Sequence, residues 1–498
     1  MPAGFTGADF YYILPEIVLT VGALLVLVID LLARGRDDLT FAATLATIGV
    51  TAAVLLSFAG VDTFASRGLL AIDGFAMFFK VIFLLAAAIT VLMSSSYLKI
   101  EGVNAGEYYF LILCATLGMM FMASGVDLIT LFIGLETMAI SFYVLAGFLK
   151  PSQRSNEAAV KYYVLGAFST GVLLYGMSLL YAASGSTNLA VIAQAAGTQT
   201  SNGTLLLGVI LVAAGLGFKI AAVPFHMWAP DVYEGAPTPV TAFLSVGSKA
   251  ASFAMLLRVF VMGLPSAAPE WTAVFWWMAV LTMTVGNVAA LTQSNTKRML
   301  AYSSIAHSGY MLIGVVAATE RGVTAALVYL FIYLFMQLGA FAIVALLRRK
   351  DMVGDELKDL SGLYFRSPFA AVAMLIFMLS LGGIPPTAGF MGKFWIFGAA
   401  IEAGNSGVHP LGTAMVWLAI IGVANSAISI FYYFRIVVFM WIKEEVVGSD
   451  FRLGPAMATA LVVAVVGSVF FGIYPQPVFD QAIAAAQTLG GVGDLALQ

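Results

Sequence analysis

The chain has 498 residues, of which 61% are hydrophobic and only 10% are charged, and its mean hydropathy is +0.99. Soluble domains carry about 25% charged residues, so this composition excludes an ordinary soluble protein and predicts an all-α polytopic membrane protein. The net charge of −3 does not indicate nucleic-acid binding. One cysteine, Cys114, and three histidines without ligand spacing predict no disulfide, haem or metal centre within the chain.

Hydrophobic runs long enough to cross a bilayer recur along the whole chain. The N-terminal segment has two acidic residues and no basic region, so the first run is expected to remain as a helix and not to be a cleaved signal peptide. We predict about fourteen transmembrane segments, with approximate limits 10–32, 40–60, 74–97, 107–124, 127–149, 157–183, 204–221, 238–262, 271–292, 298–318, 322–347, 368–400, 411–441 and 455–474.

Basic residues are distributed unequally between alternate loops. Fourteen lie in the set of loops that begins with RGRDD, namely Arg34, Arg36, Lys99, Lys150, Arg154, Lys297, Arg298, Arg348, Arg349, Lys350, Lys358, Arg366, Lys443 and Arg452. The opposite loops contain only Arg67 and Arg321. Because cytoplasmic loops are enriched in Lys and Arg, the first set is predicted to be cytoplasmic and both termini to lie on the outer side.

Two predicted segments contain helix-breaking residues. The seventh continues into VPFHMWAPDVYEGAPTP, and the twelfth contains LSLGGIPPTAGF. Proline removes a backbone donor and clashes with the preceding turn. Such irregular backbone persists in a membrane where it is buried in protein or lines a wet cavity, and broken helices in corresponding positions of two halves point to a transport site.

A weak internal repeat supports two such halves. VGSKAASFAMLLR, which ends at Arg258, resembles VANSAISIFYYFR, which ends at Arg435; EAAVKYY and TAALVYL also match. The repeat pairs segments 4–8 with segments 9–13, and an odd number of spans per unit requires the second unit to be inverted. The predicted divisions are an N-terminal three-helix segment at 1–106, a first repeat at 107–262, a second repeat at 263–441, and a final helix and tail at 442–498.

Charged residues inside the spans or at their breaks indicate a path for protons or ions. They are Glu136, Lys161, Lys219, Lys249 and Lys393. A charged side chain at the bilayer centre costs roughly 2.5–3.5 kcal/mol on insertion scales, so a series of them requires an explanation. The alternative is that each charge only holds helices together or reaches the membrane surface.

Each of these residues has a predicted role. Glu136 is the one carboxylate deep in a span, and Lys161 could reach it across a helix pair. Lys219, beside the first break, is a candidate proton carrier, because a buried amine releases its proton readily; it could instead neutralise helix carbonyls freed by the break. Lys249 has small polar neighbours that could hold water, and Lys393 follows the second break.

Several other residues have weaker predictions. His226 and His307 could each bridge a proton wire or be an ordinary core histidine. Lys80 is expected to contact a membrane interface or another subunit, and Arg258 and Arg435 are expected to anchor helix ends. The acids Asp231 and Glu234 follow the first break and could form an access funnel.

Five long motifs carry a resemblance to a known family. GLETMAISFYVLAGF, EAAVKYYVLGAFSTGVLLYG, GFKIAAVPFHMWAPDVYEGAPTPVTAFLSVGSKAA, NTKRMLAYSSIAHSGYML and LSLGGIPPTAGFMGKFW resemble the N subunits of bacterial NADH:quinone oxidoreductase (respiratory complex I), whose mitochondrial counterpart is NADH dehydrogenase subunit 2. Lys393 fits this branch, because the related M subunits have glutamate there. The chain also ends soon after segment fourteen, so the long lateral helix of the L subunits is not expected.

The resemblance implies an antiporter-like fold with two inverted five-helix repeats and broken helices 7 and 12, in a bacterial inner membrane. It implies proton transfer at Glu136, Lys161, Lys219, Lys249 and Lys393, with other membrane-arm subunits as partners. NAD, FMN, Fe–S clusters and quinone are expected in partner subunits and no cofactor in this chain. The alternatives are a subunit of a multi-subunit cation/proton antiporter and a passive scaffold.

Overall fold

The computed structural model describes residues 7–33, 35–198, 203–349, 354–442 and 453–495. Four basic residues used to predict the orientation, Arg34, Lys350, Lys443 and Arg452, lie outside these ranges.

The chain is almost entirely helical where it is described. The helices are α1 Gly7–Tyr12, α2 Leu14–Leu32, α3 Asp37–Leu56, α4 Gly74–Glu101, α5 Ala105–Ser124, α6 Leu128–Ala146, α7 Gln153–Ser184, α8 Leu189–Thr198, α9 Gly203–Lys219, α10 Trp228–Gly235, α11 Thr238–Phe243, α12 Lys249–Leu256, α13 Ala268–Leu291, α14 Thr296–Val316, α15 Glu320–Leu346, α16 Leu363–Arg366, α17 Pro368–Gly382, α18 Ala388–Asn405, α19 Ala414–Trp441, α20 Pro455–Ile473 and α21 Gln476–Leu495.

The predicted spans correspond closely to these helices. Twelve helical stretches in the described ranges are long and apolar enough to cross a membrane, which confirms a polytopic helical membrane protein. The two other predicted spans are interrupted at the expected places, the seventh between α9 and α10 and the twelfth between α17 and α18. The total of fourteen spans therefore stays a prediction that depends on counting each interrupted pair as one crossing.

The first interruption follows directly from local sequence. α9 ends at Lys219, and Ala221 has a positive φ of 56°. The turn is held by side chains from outside it, because Thr282 accepts from the backbone N–H of Val223 at 2.9 Å and the Trp228 indole donates to the carbonyl of Phe218 at 2.9 Å. Backbone groups that the proline-containing turn releases thus find partners within the protein, as a membrane interior requires.

The central helices are far more buried than the peripheral ones. The apolar window is completely buried for the stretch Thr238–Met262 and 94% buried for α14 and α15, but only 33% and 28% buried for α2 and α3. Large apolar side chains on the peripheral helices are exposed, for example Leu24, Phe168 and Phe431. The bundle therefore has an interior of its own, and a charged side chain on α12, α14 or α15 is remote from lipid.

Four features were not predicted from the sequence. Two π-helical stretches, Leu244–Ser248 and Leu257–Met262, flank α12, so Lys249 is the first residue after a π-turn. Short 3₁₀ turns occupy Ser66–Gly68, Pro265–Ala267 and Leu357–Leu360. A small antiparallel hairpin pairs β1 (Thr63–Ala65) with β2 (Leu70–Ile72). Helices α8 and α21 also lie outside the predicted spans, and α21 packs against α4 and α15.

Candidate functional site

Lys219 is a buried amine at the C-terminal end of α9, where the first interruption begins. Lys219 is only 4% exposed, and the described residues offer no hydrogen-bond partner to its Nζ. The amine lies 5.9 Å from the ring centroid of Tyr143 on α6. Burying an unpaired ammonium is costly, so this position suits a group that gains and loses a proton.

Glu136 lies two helical turns before Tyr143 on the same face of α6. Its Oε1 accepts a hydrogen bond from the hydroxyl of Thr170 on α7 at 3.0 Å, and the residue is half-buried. Tyr143 contacts both Lys219 and the α7 residue Tyr162, and Ser169, next to Thr170, donates to the carbonyl of Gly215, one turn before Lys219. The structure therefore assigns Glu136 and Lys219 to one region of the bundle.

The predicted ion pair between Lys161 and Glu136 does not form in this structure, so that prediction was wrong. Lys161 Nζ instead lies 2.7 Å from Glu157 and 2.8 Å from Asp231. The reason is position along α7: Glu136 contacts the helix at Thr170, which is nine residues, or about 13 Å, further along than Lys161. Lys161 is 41% exposed and belongs to the end of the bundle, not to its middle.

Lys161 is part of a charged cluster formed by α7, α10 and α14. Arg298 bonds to Asp231 at 2.7 Å and to Glu234 at 3.0 Å, so Asp231 bridges two cations. The cluster lines an open cavity of about 190 Å³. Its ionisable members are three cations and three acids, Arg154, Lys161, Arg298, Glu157, Asp231 and Glu234. Their formal charges cancel, and the cavity is a polar opening at one end of the bundle.

Lys249 lies in the most buried part of the protein. Its Nζ donates to the backbone carbonyl of Ser304 at 2.5 Å and to the Ser304 hydroxyl at 2.6 Å, and the residue is 2% exposed. The ring of Tyr333 lies 5.6 Å away. π-Helical turns are frequent at functional sites, and here the turn before Lys249 presents the amine to α14.

α14 carries a row of polar side chains through the middle of the bundle. Ser308 donates to the carbonyl of Ile220 at 2.7 Å, in the first interruption. His307 lies within hydrogen-bond distance of the Tyr329 and Tyr433 hydroxyls, at 2.9 and 3.1 Å. These residues follow Ser304 by three and four positions, which places them on one helix face. α14 thus connects the first interruption to α15 and α19.

Lys393 lies beside the second interruption, and its amine has three hydrogen-bond acceptors. Its Nζ donates to the carbonyls of Leu381 and Gly382, at 2.9 and 3.0 Å, and to the hydroxyl of Ser426 at 2.8 Å. The two carbonyls are at the C-terminal end of α17, where a cation is favoured by the helix dipole. The Lys393 Nζ lies 5.1 Å from the ring centroid of Tyr310 on α14.

The remaining predicted residues have less central positions. His226 is half-buried in the first interruption, and its Nδ1 has no partner within the part of the chain described. Arg435 donates to the carbonyls of Leu291 and Gln293, as expected of a helix-end anchor. Lys297, counted above as a loop residue, is buried in the first turn of α14 and donates to the carbonyl of Ala236 at 2.6 Å.

Of the predictions about charged residues outside this row, the one for Lys80 was incorrect and the one for Arg258 was incomplete. Lys80 does not reach an interface: it forms a buried ion pair with Glu16 of α2 at 2.6 Å. Arg258 is fully buried and not merely an anchor, since it pairs with Asp73 at 2.8 Å and donates to the carbonyl of Ala123 at 3.1 Å. Both acids come from the N-terminal segment: the Lys80–Glu16 pair joins two helices within it, and the Arg258–Asp73 pair ties it to the rest of the bundle.

Comparison with known proteins identifies the family. Residues 124–429 match the family described as NADH:quinone oxidoreductase/Mrp antiporter, TM. Over 491 residues the chain is 47% identical to NADH-quinone oxidoreductase subunit N of Trichlorobacter lovleyi, which covers 97% of this chain and 98% of the relative. The chain belongs to the subunit N family of NADH-quinone oxidoreductases. The resemblance inferred from the sequence motifs is thereby confirmed.

Solved structures agree with membership of the subunit N family. A chain of the respiratory complex I structure from Thermus thermophilus with bound Aureothin is 34% identical, with a TM-score of 0.78 and coverage of 94% of this chain and 98% of that one. A chain of the Mrp complex from a Dietzia species has a TM-score of 0.84 at 21% identity, covering 98% and 100%. The second likeness concerns the fold alone, and the antiporter-like architecture is common to both.

Within this subunit N family member, several site residues were missed from sequence. Thr170, Ser304, Tyr329 and Tyr433 touch the predicted residues but are ordinary residues in a helical sequence. The signal that could have found Ser304 is its spacing from His307 and Ser308 in AYSSIAHSGY. Among the described residues, no group of three or more His, Cys, Asp or Glu side chains could hold a metal ion.

Proposed function

We propose that this chain translocates protons in the membrane arm of a bacterial NADH:quinone oxidoreductase, with Glu136, Lys219, Lys249 and Lys393 as the proton-exchanging groups. The observation that carries the proposal is the unpartnered, buried amine of Lys219 at a helix interruption. A permanently charged structural lysine would have a partner that compensates its charge, as the buried Lys80 has in Glu16. A group that alternates between charged and neutral forms does not need them in both states.

The proposed route begins at the charged cluster of Lys161 and Asp231, which is open to water and rich in proton acceptors. Lys219 receives the proton, and the α14 row passes it on by way of Ser304, Lys249 and His307. Lys393 is the last amine, held at the second interruption. Water molecules would complete the gaps, since small polar side chains such as Ser308 line the row.

The organisation of the chain is part of the proposal. The first repeat at 107–262 and the inverted second repeat at 263–441 each contain one interrupted helix with a lysine beside it. In the aligned repeats Lys249 corresponds to Ser426, and the Ser426 hydroxyl is one of the three acceptors of the Lys393 amine. The excess of basic residues in alternate loops supports a cytoplasmic charged cluster, with both termini on the outer side.

The oxidation of NADH and the reduction of quinone belong to partner subunits in this proposal. NAD, FMN, Fe–S clusters and quinone would be bound there, and this chain would have no cofactor. The energy would arrive electrostatically: a charge change in a neighbouring membrane-arm subunit acts on the half-buried Glu136, and Glu136 then changes the proton affinity of Lys219 across Tyr143.

Two variants in the assembled complex test the proposal. Glu136→Gln removes the charge that responds to the neighbour, and Lys219→Met removes the proton-carrying amine while keeping the chain length. We expect fewer protons pumped per NADH oxidised by membrane vesicles for both. Lys99→Met, which breaks only an exposed pair with Asp38, is the control. Unchanged pumping stoichiometry in both variants would overturn the proposal.

The two other functions make different predictions. A cation/proton antiporter subunit would give Na⁺-dependent exchange without NADH, and the 47% identity to a subunit N over nearly the whole chain speaks against it. A passive scaffold would lose assembly when Lys219 or Glu136 is changed, with normal pumping in whatever complex remained. Quantifying the assembled complex before the pumping assay separates these cases.

A further inference from the structure

A cavity lies at the end of the bundle opposite the charged cluster. Its volume is about 690 Å³, within the range of roughly 300–1,000 Å³ in which proteins bury whole small molecules. It is bounded by the end of α3, the start of α4, one residue each from α15 and α20, and α21. None of the proton-site lysines lines it, so it is separate from the proposed route.

The inner walls are apolar and reach into the membrane region. Met77, Phe78 and Val81 of α4 and Val478 of α21 line the space, and Phe78, Phe331 and Phe471 pack together as one aromatic wall, with ring centroids 6.0 and 5.1 Å apart. Val81 lies about 10 Å along α4 from its first residue, Gly74. Helix α21 closes one side and is fastened to α4, because the backbone N–H of Phe75 donates to Thr488 at 3.0 Å. An apolar slot of this depth suits a hydrocarbon chain.

The outer rim has one charge, and it is negative. Asp62 is exposed in the loop after α3, and Gln481 is exposed on α21. The residues that line the cavity include no lysine or arginine. Two nearby cations are engaged elsewhere, since Arg258 pairs with Asp73 and Lys80 pairs with Glu16. An anionic headgroup would therefore meet repulsion at this rim, and a protonated amine would meet a carboxylate.

We propose that this cavity binds one acyl chain of a phospholipid whose headgroup carries a primary amine. The ammonium donates to the Asp62 carboxylate, the Gln481 amide is available to the headgroup phosphate, and the chain lies against the aromatic wall of Phe78, Phe331 and Phe471. The lipid would fill the space between the N-terminal helices and α21 and hold α21 to the bundle. A headgroup with a quaternary amine lacks the N–H donors that this charge-assisted bond requires.

Photo-crosslinking in the assembled complex tests the proposal. The purified complex is placed in nanodiscs doped with a phosphatidylethanolamine, phosphatidylcholine or phosphatidylglycerol probe that has a photoreactive group on its acyl chain. Labelled peptides are then mapped by mass spectrometry. We expect the phosphatidylethanolamine probe to label residues 71–81 or 476–489 preferentially. Equal labelling by all three probes, or none because a neighbouring subunit or another molecule covers the cavity, would overturn the proposal.

Two variants at exposed positions separate headgroup from chain recognition. Asp62→Asn should reduce phosphatidylethanolamine labelling roughly two- to fivefold, the fold-change expected when an ion pair is lost at an exposed position, without affecting the other probes. Ala484→Phe, which puts a ring into the cavity from α21, should reduce labelling by every probe. Asp480→Asn makes the same charge change on α21 outside the cavity and should have no effect. An unchanged lipid preference in Asp62→Asn refutes the assigned headgroup.

Discussion

Lys161 Nζ lies 2.8 Å from the carboxylate of Asp231, so an ion pair joins α7 to the segment that follows the first interruption. The same carboxylate accepts from Arg298 of α14 at 2.7 Å. One acid thus connects three elements that surround the opening of the proposed route. Because Asp231 pairs with two cations, neutralising this one carboxylate breaks two ion pairs at once.

Replacing Asp231 should impair function more than stability. In Asp231→Asn, Lys161 and Arg298 lose their shared carboxylate, and the excess positive charge opposes proton entry. The groups are about one-third exposed or more, so the loss of stability should be below about 1 kcal/mol. We expect slower NADH-driven proton uptake with an unchanged melting temperature of the complex. Asp38→Asn is the matched control, and an equal loss of pumping there would contradict the assignment.

Ser304 is predicted to modulate the rate of proton transfer at Lys249 without being essential for it. Ser304→Ala removes the hydroxyl at 2.6 Å but leaves the carbonyl that also accepts from the amine. Loss of one hydrogen bond corresponds to roughly a two- to tenfold change in proton-coupled rate, whereas Lys249→Met should remove this step. Ser178→Ala, on the exposed face of α7, is the control. A full loss of pumping in Ser304→Ala with intact assembly would show that the hydroxyl is itself indispensable.

His307 and Tyr433 should act as one unit. Tyr433→Phe removes the hydroxyl at 3.1 Å from His307 Nε2 and keeps the buried ring, and His307→Asn removes the imidazole. If both belong to one proton path, the double variant should pump no worse than the more impaired single variant. Tyr432→Phe tests specificity, because its hydroxyl is equally buried but donates to Asn287. Additive losses in NADH-driven pumping would place the two residues on separate paths.

Hydropathy and helix breakers predicted most of the fold, because long apolar runs and prolines act locally. The partners of the charged residues could not be predicted in the same way. Lys161 and Asp231 are seventy residues apart in sequence, and only the turn after α9 brings them together. The π-turn before Lys249 contains Gly247, but a single glycine does not distinguish it from an ordinary helix. Lys80 looked like an isolated lysine because its acid, Glu16, lies on another helix.

The Glu16–Lys80 pair gives a prediction about stability alone. Both side chains are almost completely buried, at 4% and 3% exposure, and the described residues offer no partner to Glu16 Oε2. Lys80→Met would leave a buried carboxylate without its cation, which typically costs about 3–5 kcal/mol. Glu16→Gln combined with Lys80→Met removes both charges and should recover most of that loss.

Thermal unfolding of the purified complex, followed by release of this subunit, measures the effect in the single and double variants. Pumping per NADH should be normal in whatever complex assembles, because neither residue lies near α14. If the double variant were as unstable as Lys80→Met, the cost would come from lost packing of the lysine stem and not from the unpaired acid. If Lys80→Met instead assembled normally but pumped fewer protons, the pair would belong to the proton machinery, and the proposed route would have to include α2 and α4.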